Sequence, residues 1–137
     1  MKKRVLIIDP NVYTTSLKEL LEDSDMEVFL AKDESDAIDC LKNEHEVDAI
    51  LLEPLLGSDA LVDKNQSVVN IEFGGTGFVL LNNLKKLTDS FKKKPKIILH
   101  TVVSLRNLVK YAGFPEDTPH IRKPERSELI VLEINKN

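Results

Sequence analysis

Short apolar runs alternate with stretches of helical period along the chain. Val5-Leu6-Ile7-Ile8 and Ala49-Ile50-Leu51-Leu52 are unbroken apolar runs of strand length. The first predicted strand spans about Arg4–Ile8. A helix follows, with Tyr13, Leu17, Leu20 and Leu21 on one stripe. The second strand is predicted at Glu27–Ala31. The next helix turns Ala37, Ile38 and Leu41 inward, and its expected cap is Asp33 or Ser35, with acidic residues in the first turn. The third strand is Ala49–Leu52. A later helix presents Leu80, Leu81, Leu84 and Leu87. The fourth strand, Lys96–Leu99, starts after Pro95. A short helix with Leu105, Leu108, Val109 and Ala112 ends at Gly113, a residue suited to a C-cap. His120–Arg122 forms the fifth strand, and a last short helix from about Glu125 carries Leu129 and Leu132.

Five strands alternating with five helices predict an α/β fold: a doubly wound, five-stranded parallel sheet with helices on both faces. Unbroken apolar runs suit strands covered on both sides. No repeat, low-complexity tract or linker interrupts the pattern, so one domain is expected over residues 1–137. One connection is exceptional. Pro54 to Thr76 is 23 residues long, whereas such loops normally take about 2–6. It mixes Gly57, Asp59, Asp63, Asn65, Gln66 and Asn70 with Val68, Val69, Ile71 and Phe73. The alternation Val69-Asn70-Ile71-Glu72-Phe73 predicts a small extra strand or a lid, within an insertion over about residues 57–76. Two readings stand: a tolerated surface insertion, or a flap over the region beside Glu53.

Composition narrows the function. Hydrophobic residues make up 42% and charged residues 31% of the chain, a globular balance. The net charge of -4 argues against nucleic acid as the main partner, since duplex binding needs a clustered basic face. The single cysteine, Cys40, excludes an internal disulfide and fits a reducing cytoplasm. No apolar stretch approaches the roughly 20 residues of a membrane helix, and the run after Met1-Lys2-Lys3-Arg4 is shorter than the about 7–15 residues of a signal peptide's apolar region. Lys85, Lys86, Lys92, Lys93, Lys94 and Lys96 form a basic cluster, read as a solvated face or as a docking patch for an acidic partner. Gly74-Gly75-Thr76-Gly77 lacks the Lys-Ser/Thr ending of a phosphate-binding loop and is read as a turn and helix entry.

Candidate chemistry lies at the ends of the strands. Asp9 ends the first apolar run, Glu53 ends the third, and Lys123-Pro124 follows the fifth strand. Two acids and a lysine in those places predict one charged pocket at one edge of the sheet.

The order and spacing of these pieces resemble the receiver domain of bacterial response regulators, a flavodoxin-like fold. Val5–Asp9, Ala49–Glu53 with Pro54-Leu55-Leu56-Gly57, Gly77-Phe78-Val79-Leu80-Leu81, Pro95–Thr101, Ala112-Gly113 and Lys123-Pro124 carry the likeness. The resemblance implies strand order 2-1-3-4-5, a site at the carboxyl ends of the strands where that order reverses, and convergence there of Asp9, Glu53, Thr101 and Lys123. It also implies that Glu53 stands at the phosphoacceptor position, where the family carries aspartate.

Several positions depart from the family pattern. Pro10 replaces the second acid of a magnesium site, and Asn11 offers only a neutral oxygen. Glu53 is one methylene longer than aspartate, which moves its oxygens by about 1.5 Å, when about 1 Å already spoils reaction geometry. Counted from Pro95, the family's hydroxyl position falls on His100, and a slip of one residue would restore Thr101. His120 stands where the family carries an aromatic switch residue. Zinc would want three or four ligands, so His100 and His120 do not make a metal site. Asp9 and Glu53 remain the weak candidates for Mg2+, with Asp59 or Asp63 able to replace the missing acid. Glu53 beside Lys123 reads as a structural ion pair, as a fixed mimic of a phosphorylated aspartate, or as a surviving phosphoacceptor.

The resulting expectation is a pseudo-receiver: a cytoplasmic, non-enzymatic signalling module of the two-component (phosphorelay) type. It would work by protein–protein contact with a histidine kinase or an output protein, without cofactor, as a monomer or weak homodimer. The alternatives are a conventional phosphorylatable response regulator and a flavodoxin-like ligand-binding domain or enzyme with the 57–76 loop as a lid.

Overall fold

The computed structural model describes residues 2–10, 14–43, 46–54, 61–62, 68–70, 75–123 and 127–136. In chain order the elements are β1 (Lys3–Ile8), α1 (Thr14–Asp23), β2 (Met26–Ala31), α2 (Glu34–Asn43), β3 (Ala49–Leu52), β4 (Leu61–Val62), β5 (Val68–Asn70), α3 (Gly75–Leu87), β6 (Lys96–Thr101), α4 (Leu105–Ala112), β7 (His120–Arg122) and α5 (Ser127–Asn135). A 3-10 turn at Thr88–Ser90 closes α3. Five strands form one parallel sheet in the order β2-β1-β3-β6-β7, the order 2-1-3-4-5 counted over the strands of this sheet.

The apolar runs are the middle of that sheet because both of their faces are covered. Leu6, Ile8, Ile50, Leu52 and Leu99 pack with Ala37 and Leu41 of α2, Leu80, Leu81 and Leu84 of α3, and Leu108 of α4. Their neighbours Val5, Ile7, Ala49, Leu51 and Ile98 point the other way, onto Leu17 and Leu21 of α1 and Ile130 and Ile134 of α5. The two-residue period of a strand sends alternate side chains to opposite faces, so strands this apolar need helices on both sides.

Local signals fix several element ends. The Asp33 side chain accepts from the Asp36 N–H at 2.8 Å, so Asp33, rather than Ser35, caps α2. Ser104 caps α4 by accepting from the Asn107 N–H at 3.2 Å. Gly113 ends α4 in the left-handed region at φ 75°, and Phe114 then folds into the core. None of the helices among the described residues is long and apolar enough to cross a membrane.

One leucine, Leu20, departs from the sequence reading, and two leucines of the last helix face solvent. Leu20, Leu129 and Leu132 are exposed. In α1 the pair Leu17 and Leu21 faces the sheet, and Leu20 lies off that stripe. In α5, Ser-Glu-Leu-Ile-Val-Leu-Glu-Ile-Asn is apolar nearly all round, so its period does not select a face. Ile130 and Ile134 take the inward positions. The fourth strand of the sheet runs two residues further than expected, to Thr101. In the long insertion, β4 and β5 pair antiparallel, and β5 includes Val69 and Asn70 of the segment expected to form a small extra strand. Residues 71–73, like Tyr13, Asp59 and Asp63, lie outside the described residues.

Lys96, at the start of β6, holds the end of α5. Its ammonium donates to the carbonyls of Glu133 at 2.7 Å and Lys136 at 3.2 Å, and lies 3.3 Å from the Glu133 carboxylate. The last carbonyls of a helix lack full internal pairing, and the Glu133 carbonyl also accepts from the Lys136 N–H at 3.3 Å. Lys96→Met should therefore loosen α5, at a cost of about 1–2 kcal/mol. Hydrogen exchange should show faster exchange of the α5 amides with the β1 and β3 amides little changed.

Candidate functional site

Each of three charged residues sits one step beyond a strand, with its backbone still in the ladder. The Asp9 N–H donates to the Ala31 carbonyl at 2.9 Å, the Glu53 N–H to Ile8 at 2.9 Å and the Lys123 N–H to Thr101 at 2.8 Å. The ladder thus aims all three side chains at the carboxyl ends of the strands. β1 lies between β2 and β3, so the chain reverses its direction of winding between Asp9 and Glu53, which opens a crevice there.

Lys123 spans that crevice. Its ammonium lies 2.5 Å from an Asp9 carboxylate oxygen and 3.4 Å from a Glu53 oxygen. The side chains of Lys123, Asp9 and Glu53 are 8%, 4% and 12% exposed. At that depth the charges must pair with one another to avoid a large desolvation cost. Pro10 beside Asp9 is exposed and Pro54 beside Glu53 is buried, and neither brings a side-chain oxygen.

The sheet register places His100, rather than Thr101, beside Glu53. β3 and β6 pair without a shift, Leu52 with Leu99, so Glu53 and His100 follow at the next step. His100 is buried. Burial pushes its imidazole pKa down from 6.5 to about 4, helped by the nearby Lys123 charge and by His120 and opposed by Asp9. The ring is thus neutral near pH 7. Thr101 is also buried, and its hydroxyl accepts from the Val103 N–H at 3.4 Å. That contact ties Thr101 to the loop between β6 and α4.

His120 and Arg122 grip the same loop from β7. The His120 Nε2–H donates to the Val103 carbonyl at 3.0 Å, since a carbonyl can only accept. The Arg122 Nε–H donates to the Val102 carbonyl at 2.9 Å. Arg122 escapes a reading of the sequence because backbone carbonyls carry no residue signature. Its only visible signal is alternation with His120 along a three-residue strand.

The pocket therefore brings together Asp9, Glu53, Lys123 and His100, with Thr101 and His120 holding its loop. Among the described residues no group of three or more His, Cys, Asp or Glu side chains is arranged to hold a metal ion. Cys40 lies on α2 and packs against the core on that face of the sheet.

Solved structures share this architecture. Chemotaxis protein CheY4 of Vibrio cholerae is 18% identical at a TM-score of 0.68, with 99% of this chain and 98% of that chain covered. A response regulator from Thermotoga maritima is 18% identical at a TM-score of 0.69, covering 99% and 97%. A response regulator protein from Burkholderia pseudomallei, solved with a phosphorylated aspartic acid, a calcium ion and citrate, is 21% identical at 0.65, covering 99% and 68%. Identities this low show the fold alone. No family model and no curated protein matches the chain.

Two expectations follow from the pocket. Lys123→Met would leave two buried carboxylates facing each other, and denaturant unfolding at pH 7 should show a loss of about 3–5 kcal/mol. His100 gives a pH dependence of definite sign. The unfolded chain takes up a proton on this ring as pH falls through 6.5, while the folded chain resists until about 4. Stability should fall across that window by up to about 3 kcal/mol and be independent of this ring above it. His100→Gln should remove that component of the slope, as read by unfolding midpoints between pH 7 and pH 4.

Proposed function

We propose that this chain is a receiver-like signalling module whose acceptor position is permanently filled by Glu53, so that it works through protein contacts without phosphorylation. The observation that carries the reading is the Lys123 ammonium held between Asp9 and Glu53. In a receiver, an aspartate at the position of Glu53 would take up a phosphoryl group, and the added negative charge would be met by the lysine. Here a longer carboxylate already reaches that lysine. The charge that phosphorylation would supply is built in.

The same reading leaves no resident divalent cation. Magnesium takes oxygen ligands in a near-ideal octahedron. Among the described residues the pocket offers two carboxylates, both facing Lys123, and Pro10 where another acid would help. An ammonium and a cation compete for the same oxygens, and here the ammonium is covalently attached. The neutral imidazole of His100 beside Glu53 fits a pocket that need not admit a phosphoryl group. The reading is of a non-enzymatic module. Its partners would be signalling proteins, a histidine kinase or an output protein.

The module should not accept phosphate. Incubation with acetyl phosphate and Mg2+ should leave the intact mass unchanged. A mass increase of one phosphoryl group mapping to Glu53 or Asp9 would overturn the proposal. Glu53→Gln keeps the size of the side chain and removes its charge. A weaker complex with the signalling partner at a nearly unchanged melting temperature is the expected result. Unchanged affinity with a clear drop in melting temperature would reduce Glu53 to a structural ion pair, worth about 3–5 kcal/mol when fully buried and about 0–1 kcal/mol when exposed.

A further inference from the structure

The two edges of the sheet differ. β7 is three residues long, and short edge strands resist pairing with other chains. β2, at the other edge, is six residues long, Met26-Glu27-Val28-Phe29-Leu30-Ala31, and among the described residues nothing pairs with its outer side. The Ala31 carbonyl accepts from Asp9, so it points inward toward β1. Backbone groups alternate along a strand, which turns the N–H and C=O groups of Val28 and Leu30 outward.

The usual guards of an edge strand are weak here. Its one charged residue, Glu27, lies 3.6 Å from Arg4 of the neighbouring strand, and Arg4 also sits 5.0 Å over the Phe29 ring. The charge is thereby neutralised. Leu30 is 42% exposed. Beside the edge runs a groove of about 520 Å³, lined by Phe29, Leu30, Cys40, Asp36, Asp39 and Lys18.

Charge selects the occupant. Lys18 is held by Glu22 at 3.0 Å, which leaves Asp36 and Asp39 to set the sign of the groove. The same edge of a second copy would bring these acids against their own counterparts, and like charges at an interface are costly. A basic strand meets no such penalty.

We propose that the outer edge of β2 takes up an extended basic segment of another protein as a sixth strand of the sheet. The segment's backbone would bond to the outward groups of Val28 and Leu30. Its residues on the α1 side would be apolar, against Leu30. Those on the α2 side would be Lys or Arg, toward Asp36 and Asp39. Main-chain bonds supply affinity in such strand addition, and the alternate side chains supply specificity. This surface is independent of the pocket and of the function proposed for it.

The probe is a capped hexapeptide alternating valine and lysine, titrated into the full chain, with a valine–glutamate hexapeptide as control. The lysine peptide should bind saturably and slow exchange of the Val28 and Leu30 amides by about tenfold at saturation, as paired edge amides become protected. The glutamate peptide should not. Leu30→Pro removes an outward donor and leaves the bonds to β1, so it should weaken binding. Asp39→Lys, at an exposed helix position, should weaken binding even if Leu30→Pro does not fold. Equal binding of both peptides, protection at other amides, full binding by Asp39→Lys, or a sedimentation dimer that blocks the peptide would each overturn the proposal.

Discussion

The arrangement rests on the register of a parallel ladder that continues one residue past its strands. Asp9, Glu53 and Lys123 are not in β-strands, yet their N–H groups still donate to the neighbouring strand. That single extra bond fixes where each side chain leaves the sheet. Register in turn depends on the hydrophobic pattern, because a shift of one residue would exchange the two buried faces. Here both faces are apolar, but they are packed by different helices: α2, α3 and α4 on one side, α1 and α5 on the other. Packing on two sides therefore sets the geometry of a polar pocket that takes no part in that packing.

Within the pocket, one ammonium stands between two acids. A buried ion pair is poor evidence of stability in its own right, since desolvation offsets much of the attraction. Its effect here is on shape. Lys123 draws the ends of β1, β3 and β7 together, while His120 and Arg122 from the same strand hold the loop after β6. Four of the five strand ends are thus tied by side chains from one short strand and its exit.

Much of this was legible in the sequence. Two unbroken apolar runs announced central strands, and the residues that end them announced the acids. Lys123-Pro124 after a short apolar segment marked the third corner of the pocket. The cap at Asp33 and the stop at Gly113 followed from ordinary residue preferences. What stayed hidden had physical reasons. The face of α5 could not be read because its apolar residues surround the helix. The choice between His100 and Thr101 depended on strand register, which one strand's sequence does not contain. The bonds from His120 and Arg122 to Val103 and Val102 end on backbone carbonyls, which every residue possesses.

The contact between Lys123 and Asp9 also has a consequence in time. The two residues are separated by 114 positions in the chain. Contacts this distant in sequence carry a large loop-closure cost, which falls once the intervening chain is ordered. During synthesis from the N-terminus, the two acids exist long before the lysine that neutralises them. Until that strand emerges and docks, Asp9 and Glu53 lack the ammonium that lies between them in the folded chain. Closure of the pocket is therefore a record that the whole sheet has been built, and a chain stopped short of Lys123 would carry the acids without the contact that reconciles them.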